Sequence, residues 1–127
     1  ERYFSQLSKK RKTPLLNQAL EQLREYFEGQ RQCFQLQLDL KGTPFQIRVW
    51  EQLLDIPYGC TVSYGEIASR INKSQASQAV GAAVGNNPIP IVVPCHRVLG
   101  HDGSLVGFSG GLPVKERLLK LEGAQFL

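Results

Sequence analysis

The sequence predicts an α+β fold, with a helix and a strand at the N-terminal end and a mostly helical C-terminal part. Three observations carry this prediction. Apolar residues recur at helical spacing in several segments, they alternate with polar residues in one segment, and two helices are separated by a tight turn, as in a helix-turn-helix unit. At 127 residues the chain can bury one compact core, or one small domain beside part of a second.

The first 42 residues are expected to contain one helix and one strand. Thr13 and Pro14 form a helix start, in which Thr caps the helix and Pro takes the first helical position. Gly29 ends this helix, whose apolar residues fall at helical spacing: Leu16, Leu20, Leu23 and Phe27. Between Cys33 and Lys41 apolar and polar residues alternate, which is typical of a half-buried strand.

A helix-turn-helix unit is predicted between residues 63 and 85. Ser63 and Glu66 are three residues apart, as in a capping box that opens a short helix. Asn72 and the following lysine turn the chain, and Ser74 begins a second helix that runs to about Gly85.

The remaining helices and one apolar run complete the C-terminal part. Thr43 and the proline after it repeat the helix-start pattern. The apolar run Ile89–Val93 is expected to be buried and extended. A last helix is expected over Pro113–Glu122, with four residues toward the core: Val114, Leu118, Leu119 and Leu121.

The second helix of the helix-turn-helix unit has almost no bulky side chain on any face. Its small residues are Ala76, Ala79, Gly81, Ala82, Ala83 and Gly85. They indicate either that a large, flat object approaches the helix closely or that the helix packs tightly on another helix. The sequence leaves both interpretations open.

The charge distribution permits a polyanionic partner. The net charge is +4 with a pI near 9.1, and no Asp or Glu occurs from Ile67 to His101, where Arg70, Lys73 and Arg97 lie. A surface that approaches phosphates would avoid carboxylates in this way. Small, apolar segments also carry few charges, so this pattern alone does not establish DNA binding.

The cysteines favour a reducing, intracellular compartment. Cys33, Cys60 and Cys95 are too few and too scattered for a disulfide framework. With only His96 and His101 as further ligands, no zinc spacing is present, and no metal site is expected. No signal peptide or membrane-spanning run is visible. Because the chain begins with a residue other than Met, we expect its natural start to be missing.

Cys95 is a candidate nucleophile. It follows a buried apolar run and a rigid proline, but an isolated thiol with a pKa of about 8.5 is mostly protonated at neutral pH. His96 could serve as a base and Glu122 could orient it. Neighbours in an extended segment point to opposite faces, so a bridging water is easier than direct contact between Cys95 and His96. The alternative is that Cys95 is a small buried apolar residue.

The segment Ile91–Val98, with the sequence IVVPCHRV, resembles the active-site signature of the O6-alkylguanine-DNA alkyltransferases. Other motifs match the same family in the same order, and together they cover residues 42–123: TPFQ and VW at 43–50, IPYG at 56–59, SYGEIA at 63–68, AVG at 79–81, NNP at 86–88, GFSGG at 107–111, KERLL at 115–119 and EG at 122–123.

The resemblance implies DNA repair by direct reversal. A methyl or larger alkyl group would pass irreversibly from O6 of guanine, and possibly from O4 of thymine, to Cys95 in a single turnover. The target nucleotide would be flipped out of the helix. No cofactor is implied. The partner would be double-stranded DNA containing O6-alkylguanine, bound through the minor groove by a monomer in the cytoplasm of a prokaryote or the nucleus of a eukaryote.

The resemblance also assigns roles in the reaction. Cys95 is the alkyl acceptor, and His96, oriented by Glu122, deprotonates it through water. Asn87 braces the turn before the cysteine. Tyr64 binds N3 of the flipped guanine and donates a proton as the purine leaves. The pocket is expected to include Val98, Phe108, Ser109 and Lys115. Lys115 would stabilise the glycine-rich loop, residues 100–111.

DNA contacts are expected from the second helix of a winged-helix-like unit. The expected residues are Ala76, Gln78, Ala79, Gly81 and Ala82, together with Arg97. Gln78 stands where the family often has an Arg that fills the gap left by the flipped nucleotide, and Phe108 stands where a Tyr is common. Residues 1–42 would be the remnant of an N-terminal α/β domain, and residues 43–127 the catalytic and DNA-binding domain.

Three other functions remain as alternatives. A non-catalytic relative that binds alkylated DNA as a damage sensor would carry Trp in place of Cys95. A cysteine hydrolase using Cys95 and His96 would need an oxyanion hole, which the sequence does not show. A helix-turn-helix regulator would carry base-reading side chains on its second helix, where only Gln75 and Gln78 qualify.

Overall fold

A computed structural model describes residues 14–108 and 110–126. The chain divides into two units after Asp39, three residues before the boundary predicted from the sequence. In the first unit, helix α1 spans Pro14–Phe27 and ends as expected before Gly29, which has a positive φ of 77°. Thr13, its predicted cap, lies outside the described residues.

The predicted strand over Cys33–Lys41 is wrong. Alternate residues are half-buried, as predicted, and the Phe34 ring lies 5.6 Å from that of Tyr26 in α1. The segment nevertheless has no strand partner within the described residues. Instead, the Gln22 side chain bonds both backbone groups of Gln35, at 2.9 Å and 3.0 Å. A helix side chain thus satisfies backbone groups that a second strand would otherwise pair.

The second unit consists of helices and one small parallel sheet. Its elements in chain order are α2 (Pro44–Leu54), β1 (Val62–Ser63), α3 (Tyr64–Arg70), α4 (Ser77–Gly85), a 3₁₀ turn (Cys95–Arg97), β2 (Val98–Leu99) and α5 (Leu112–Glu122). Val62 pairs with Val98 and Ser63 with Leu99. The α+β prediction is confirmed. No helix among the described residues has the length and apolar character needed to cross a bilayer.

Side-chain caps fix where α2 and α3 begin. Thr43 and Gln46 form a reciprocal capping box at α2, and Ser63 and Glu66 form the predicted one at α3. Helix α4 begins at Ser77, three residues later than expected, because residues 73–76 form a turn closed by the Ala76 N–H on the Lys73 carbonyl, at 2.7 Å. The connection between α3 and α4 is therefore longer than the tight turn that the sequence predicted.

Helix α2 positions the helix pair. The indole Nε1–H of the buried Trp50 donates to the Ala83 carbonyl of α4 at 2.9 Å. The Arg48 guanidinium donates to the Ile71 carbonyl at the end of α3 at 2.7 Å. Each helix of the pair is thus tied to α2 by a side chain on a backbone carbonyl, which fixes the surface that α4 presents to solvent.

The face that α5 buries differs from the prediction. Leu118 and Leu119 are buried as expected, but Val114 is 45% exposed and Leu121 is 37% exposed. The other two buried positions are Lys115 and Glu122. Both charged side chains have partners in the core, described below, and this pairing makes their burial tolerable.

Candidate active site

Cys95 opens a 3₁₀ turn that follows a tightly folded loop. The segment Ile89–Val93 is not extended as predicted. The Val93 N–H bonds the Ile89 carbonyl at 2.9 Å, and Ile91 has a positive φ of 76°, which is rare for a β-branched residue. Asn87 holds this loop closed, since its amide donates to the Val93 carbonyl at 2.7 Å and accepts from the Ile89 N–H at 2.9 Å.

His96 is fully buried and bound to Glu122. Its Nε2 lies 2.8 Å from the Glu122 carboxylate. A carboxylate can only accept, so the neutral ring carries its proton on Nε2 and has a free lone pair on Nδ1. Nδ1 has no hydrogen-bond partner within the part of the chain that the structure describes. The ring is therefore oriented as a base whose accepting nitrogen is unoccupied by protein groups.

Arg97 was predicted to contact DNA, and this prediction is wrong. Arg97 is 6% exposed, and its guanidinium makes a bidentate contact with the Glu122 carboxylate, with both N–O distances 2.9 Å. A third nitrogen donates to the Ile56 carbonyl at 2.7 Å, and the Tyr58 ring centroid lies 5.8 Å from the guanidinium carbon. These contacts occupy the charged group inside the core, away from any phosphate.

The Glu122 carboxylate accepts hydrogen bonds from two segments of the chain. His96 and Arg97 come from the 3₁₀ turn, and the Gly59 N–H adds a bond of 3.2 Å from the turn after α2. Sequence reasoning identified His96 but missed Arg97 and Gly59. The pattern of α5 could have given a signal, because Lys115 and Glu122 fall on the same helical face as Leu118 and Leu119.

Burial keeps the thiol and the imidazole neutral at rest. It raises the pKa of Cys95, against the opposing effects of a hydrogen bond from Asn87 and the positive charge of Lys115. Burial also lowers the pKa of His96, although the bond to Glu122 acts in the opposite direction. The site thus holds a protonated thiol and an unprotonated imidazole, which are the starting states for proton transfer from thiol to imidazole, while both pKa shifts make that transfer less favourable.

A cavity of about 180 Å³ opens on Cys95. Its lining is largely apolar and consists of Tyr64, Gly81, Val84, Gly85, Cys95, Gly107 and Phe108. Of the predicted pocket residues, Phe108 lines it, while Val98 and Lys115 are fully buried and do not belong to the lining. Ser109 lies outside the described residues. Sequence reasoning missed Val84 and Gly85 as lining residues.

The buried Lys115 side chain binds backbone carbonyls of the glycine-rich loop. Its ammonium donates to the carbonyls of Val98 at 2.6 Å, Val106 at 2.8 Å and Gly107 at 3.3 Å. The Tyr64 hydroxyl donates to the same Val106 carbonyl at 3.3 Å. Burial lowers the pKa of Lys115 to about 8, so it remains mostly charged at neutral pH. The loop wall of the cavity is thus joined to β2, α3 and α5.

The solvent face of α4 is small and uncharged. Gln78, Ala79 and Ala82 are exposed, whereas Ala76 and Gly81 are half-buried. The buried positions of this helix are Val80, Ala83 and Val84. Among the Ala and Gly residues between positions 76 and 85, only Ala83 is buried, so tight packing on another helix does not explain the other small residues. Within the described residues no group of three or more His, Cys, Asp or Glu side chains could hold a metal ion.

Residues 44–124 match the family described as 6-O-methylguanine DNA methyltransferase, DNA binding domain, and residues 2–40 match the ribonuclease-like domain of the same methyltransferases. The chain belongs to the O6-methylguanine DNA methyltransferase family. The resemblance inferred from the sequence motifs is confirmed.

Two named relatives illustrate how far the similarity extends. A methylated-DNA–protein-cysteine methyltransferase of Mycobacterium tuberculosis is 56% identical over 104 residues, which are 82% of this chain and 63% of that protein. The corresponding protein of Methanosarcina acetivorans is 52% identical over 107 residues, 84% of this chain and 69% of the relative. This chain therefore spans less than two thirds of the mycobacterial relative's length.

Solved structures of the family superimpose on this fold. That of Mycobacterium tuberculosis OGT in complex with DNA has a TM-score of 0.84 at 54% identity, covering 85% of this chain and 67% of that one. Schizosaccharomyces pombe Atl1 in complex with damaged DNA containing O6-carboxymethylguanine has a TM-score of 0.60 at 28% identity, covering 68% and 82%. Two members of this fold have thus been crystallised on DNA.

Proposed function

We propose that this protein repairs DNA by direct reversal, transferring an alkyl group irreversibly from O6 of guanine, and possibly from O4 of thymine, to its own Cys95. The observation that carries the proposal is the placement of Cys95 in an apolar cavity, next in the chain to a buried histidine whose Nε2 is bound to Glu122. Without the cysteine, the same cavity would suit only binding. With the cysteine, the cavity would place a nucleophile next to the alkylated guanine that it binds.

The reaction follows from the position of each group. A water between His96 Nδ1 and the Cys95 thiol would carry the thiol proton to the imidazole, and Glu122 would stabilise the resulting imidazolium. The thiolate attacks the alkyl carbon as the bond from carbon to O6 breaks. The electron pair stays on the guanine, which takes a proton at N3 from the Tyr64 hydroxyl. The thioether product is stable, so each molecule reacts once without a cofactor.

Tyr64 must change partner for this step. In the structure its hydroxyl donates to the Val106 carbonyl, while its ring lines the cavity. Burial raises the pKa of Tyr64, as does the nearby Cys95, so the hydroxyl stays protonated. A flipped guanine that offers N3 would replace the Val106 carbonyl, and Lys115 would continue to hold that carbonyl in place.

The exposed face of α4 would enter the minor groove of the DNA. Ala79 and Ala82 let the backbone come close, Gln78 lies beside the vacated base position, and exposed Arg70 and Lys73 near the turn are available to phosphates. We expect a monomer to bind DNA through this surface in a sequence-tolerant, salt-dependent way. Such a repair protein acts where DNA is, in the cytoplasm of a prokaryote or the nucleus of a eukaryote.

The direct test is the intact mass after incubation with a duplex containing O6-methylguanine. We expect a single gain of one methylene, about 14 Da by chemical arithmetic, mapped to the Cys95 peptide. Cys95→Ala should show no gain, and the matched control Cys60→Ala, at an exposed cysteine, should react like the parent. Tight lesion binding without a mass gain would instead favour a non-catalytic damage sensor, the second candidate, because the similar Atl1 has been crystallised with damaged DNA containing O6-carboxymethylguanine.

Gln78 provides a separate test of how DNA is engaged. Because Gln78 is shorter and uncharged, we expect Gln78→Arg to increase affinity for lesion-containing duplex several-fold by stabilising the extruded state. Fluorescence anisotropy and single-turnover rates measure both effects. The exposed Gln75→Arg variant, which adds the same charge in the turn before α4, separates a specific effect from general attraction to phosphate. Equal gains from both variants would contradict a specific role for position 78.

A further inference from the structure

Arg97 has no role in the reaction as derived above, yet its position is more constrained than a stabilising ion pair requires. Its guanidinium binds the same Glu122 carboxylate that orients His96, and the two residues are adjacent in the 3₁₀ turn. One carboxylate therefore faces two cationic or potentially cationic groups. A third contact, to the Ile56 carbonyl at 2.7 Å, fixes the guanidinium in the plane that allows this.

We propose that Arg97 is a positioning residue that keeps His96 unprotonated and available as a base, by sharing the negative charge of Glu122. This inference rests on the proposed function. Burial already opposes protonation of His96, but a Glu122 carboxylate that served His96 alone would favour it more strongly, and an imidazolium cannot accept the thiol proton. Arg97 neutralises part of the carboxylate charge and adds a positive charge beside the ring, and both effects oppose that uptake.

Charged groups from two elements act on the protonation of His96. From α5, the Glu122 carboxylate favours the imidazolium, and the Lys115 ammonium opposes it. From the 3₁₀ turn, Arg97 opposes it, while Cys95 would favour it only as the thiolate. Arg97 is distinguished among them because it alone also binds the carboxylate that holds the ring.

A role in stability alone makes a different prediction. Removing Arg97 would then lower the amount of folded protein or the reaction rate at every pH by the same factor. If Arg97 sets the protonation state, its neutral replacements should let the His96–Glu122 pair take up a proton at higher pH. The acid limb of the rate profile would shift to higher pH by about one unit, since a neighbouring charge shifts a pKa by 1 to 3 units and Arg97 acts on His96 partly through Glu122.

The experiment measures the rate of alkyl transfer from O6-methylguanine duplex between pH 5 and 9 for four proteins. These are the parent, Arg97→Met, Arg97→Gln and Arg97→Lys. Gln keeps a donor to Glu122 without charge, and Lys keeps the charge without the two-pronged contact. We expect the acid limb to shift to higher pH in Arg97→Met and Arg97→Gln, and to stay at nearly the parent's pH in Arg97→Lys. Unmoved limbs in folded neutral variants would overturn the proposal.

A second readout does not depend on DNA. The pH dependence of Cys95 alkylation by iodoacetamide, followed by peptide mass to exclude Cys33 and Cys60, reports the same proton network. A parent that shows no transfer from DNA would refute the proposed function, while the iodoacetamide profiles would still test Arg97. If neither neutral variant folds, NMR titration of His96 in the parent decides, and a pKa at or above the ordinary 6.5 would overturn the proposal.

Discussion

Two regions of the second unit are built in opposite ways. One is a buried cluster of His96, Arg97, Lys115 and Glu122, in which side chains bind one another or backbone carbonyls. The other is the α4 face, defined by Gln78, Ala79 and Ala82, which is exposed and carries no charge. The cluster depends on particular partners at particular distances, whereas the α4 face depends on the absence of bulk.

This difference has a consequence for mutation. A change in the cluster leaves a buried group without its partner and should cost both stability and chemistry. A change on the α4 face should leave the fold intact and alter only DNA binding. Substitutions in the two regions can therefore separate stability from affinity.

The largest effect is expected for Glu122→Gln. It leaves the Arg97 guanidinium buried without a countercharge, so the free energy of unfolding should fall by about 3–5 kcal/mol, as measured by urea denaturation. Glu116→Gln is the matched control, because Glu116 pairs with the exposed Lys120 on the same helix. We expect the control to change stability by less than about 0.5 kcal/mol. Similar losses in the two variants would contradict the contrast between cluster and surface.

Asn87→Ala should have the next largest effect. It removes both side-chain bonds that close the loop before Cys95, in which Ile91 is held at positive φ. We expect a loss of about 1–3 kcal/mol in unfolding free energy together with slower transfer. The neighbouring Asn86→Ala removes one exposed bond to the Ala82 carbonyl and serves as control. A stable Asn87→Ala protein with the parent's rate would show that the backbone alone maintains this loop.

Acidification should destabilise the protein through His96. Burial lowers the pKa of His96 in the folded state, so the unfolded chain binds more protons below its ordinary pKa of 6.5, and the free energy of unfolding falls as the pH drops through that value. Denaturation curves at pH 7.5, 6.5 and 5.5 measure this. His96→Gln should weaken the dependence, while His101→Gln, at an exposed position, should retain it. A pH dependence unchanged in His96→Gln would assign it to other groups.

The smallest effect on stability is expected on the α4 face. Ala82→Glu adds an acid to an exposed helix position and should change the free energy of unfolding by less than about 0.5 kcal/mol. Its carboxylate would oppose DNA phosphates, so affinity for duplex DNA should fall at least about tenfold at low salt. Val114→Glu places the same charge on exposed α5 and should bind DNA nearly as the parent does. Equal losses would indicate a net-charge effect without a defined binding face.

The sequence by itself determined the local features and the family. The capping box at Ser63, the helix start at Thr43 and the glycine stop of α1 lie where the residues predicted them, because each depends on groups within a few residues of one another. The motif around Cys95 identified the family, since its order and spacing are visible without coordinates. The small residues of α4 were also visible, although their exposure was not.

Only the tertiary structure decided which charged residues are buried and with which partners. Arg97 was assigned to DNA because a basic residue within an acid-free stretch resembles a phosphate contact, but the fold brings Glu122, 25 residues away, against it. The segment 33–41 alternates like a strand, yet the Gln22 side chain bonds both backbone groups of Gln35 in it. In both cases the deciding partner lies far away in the sequence, and the free energy of a buried polar group depends on that partner more than on the residue itself.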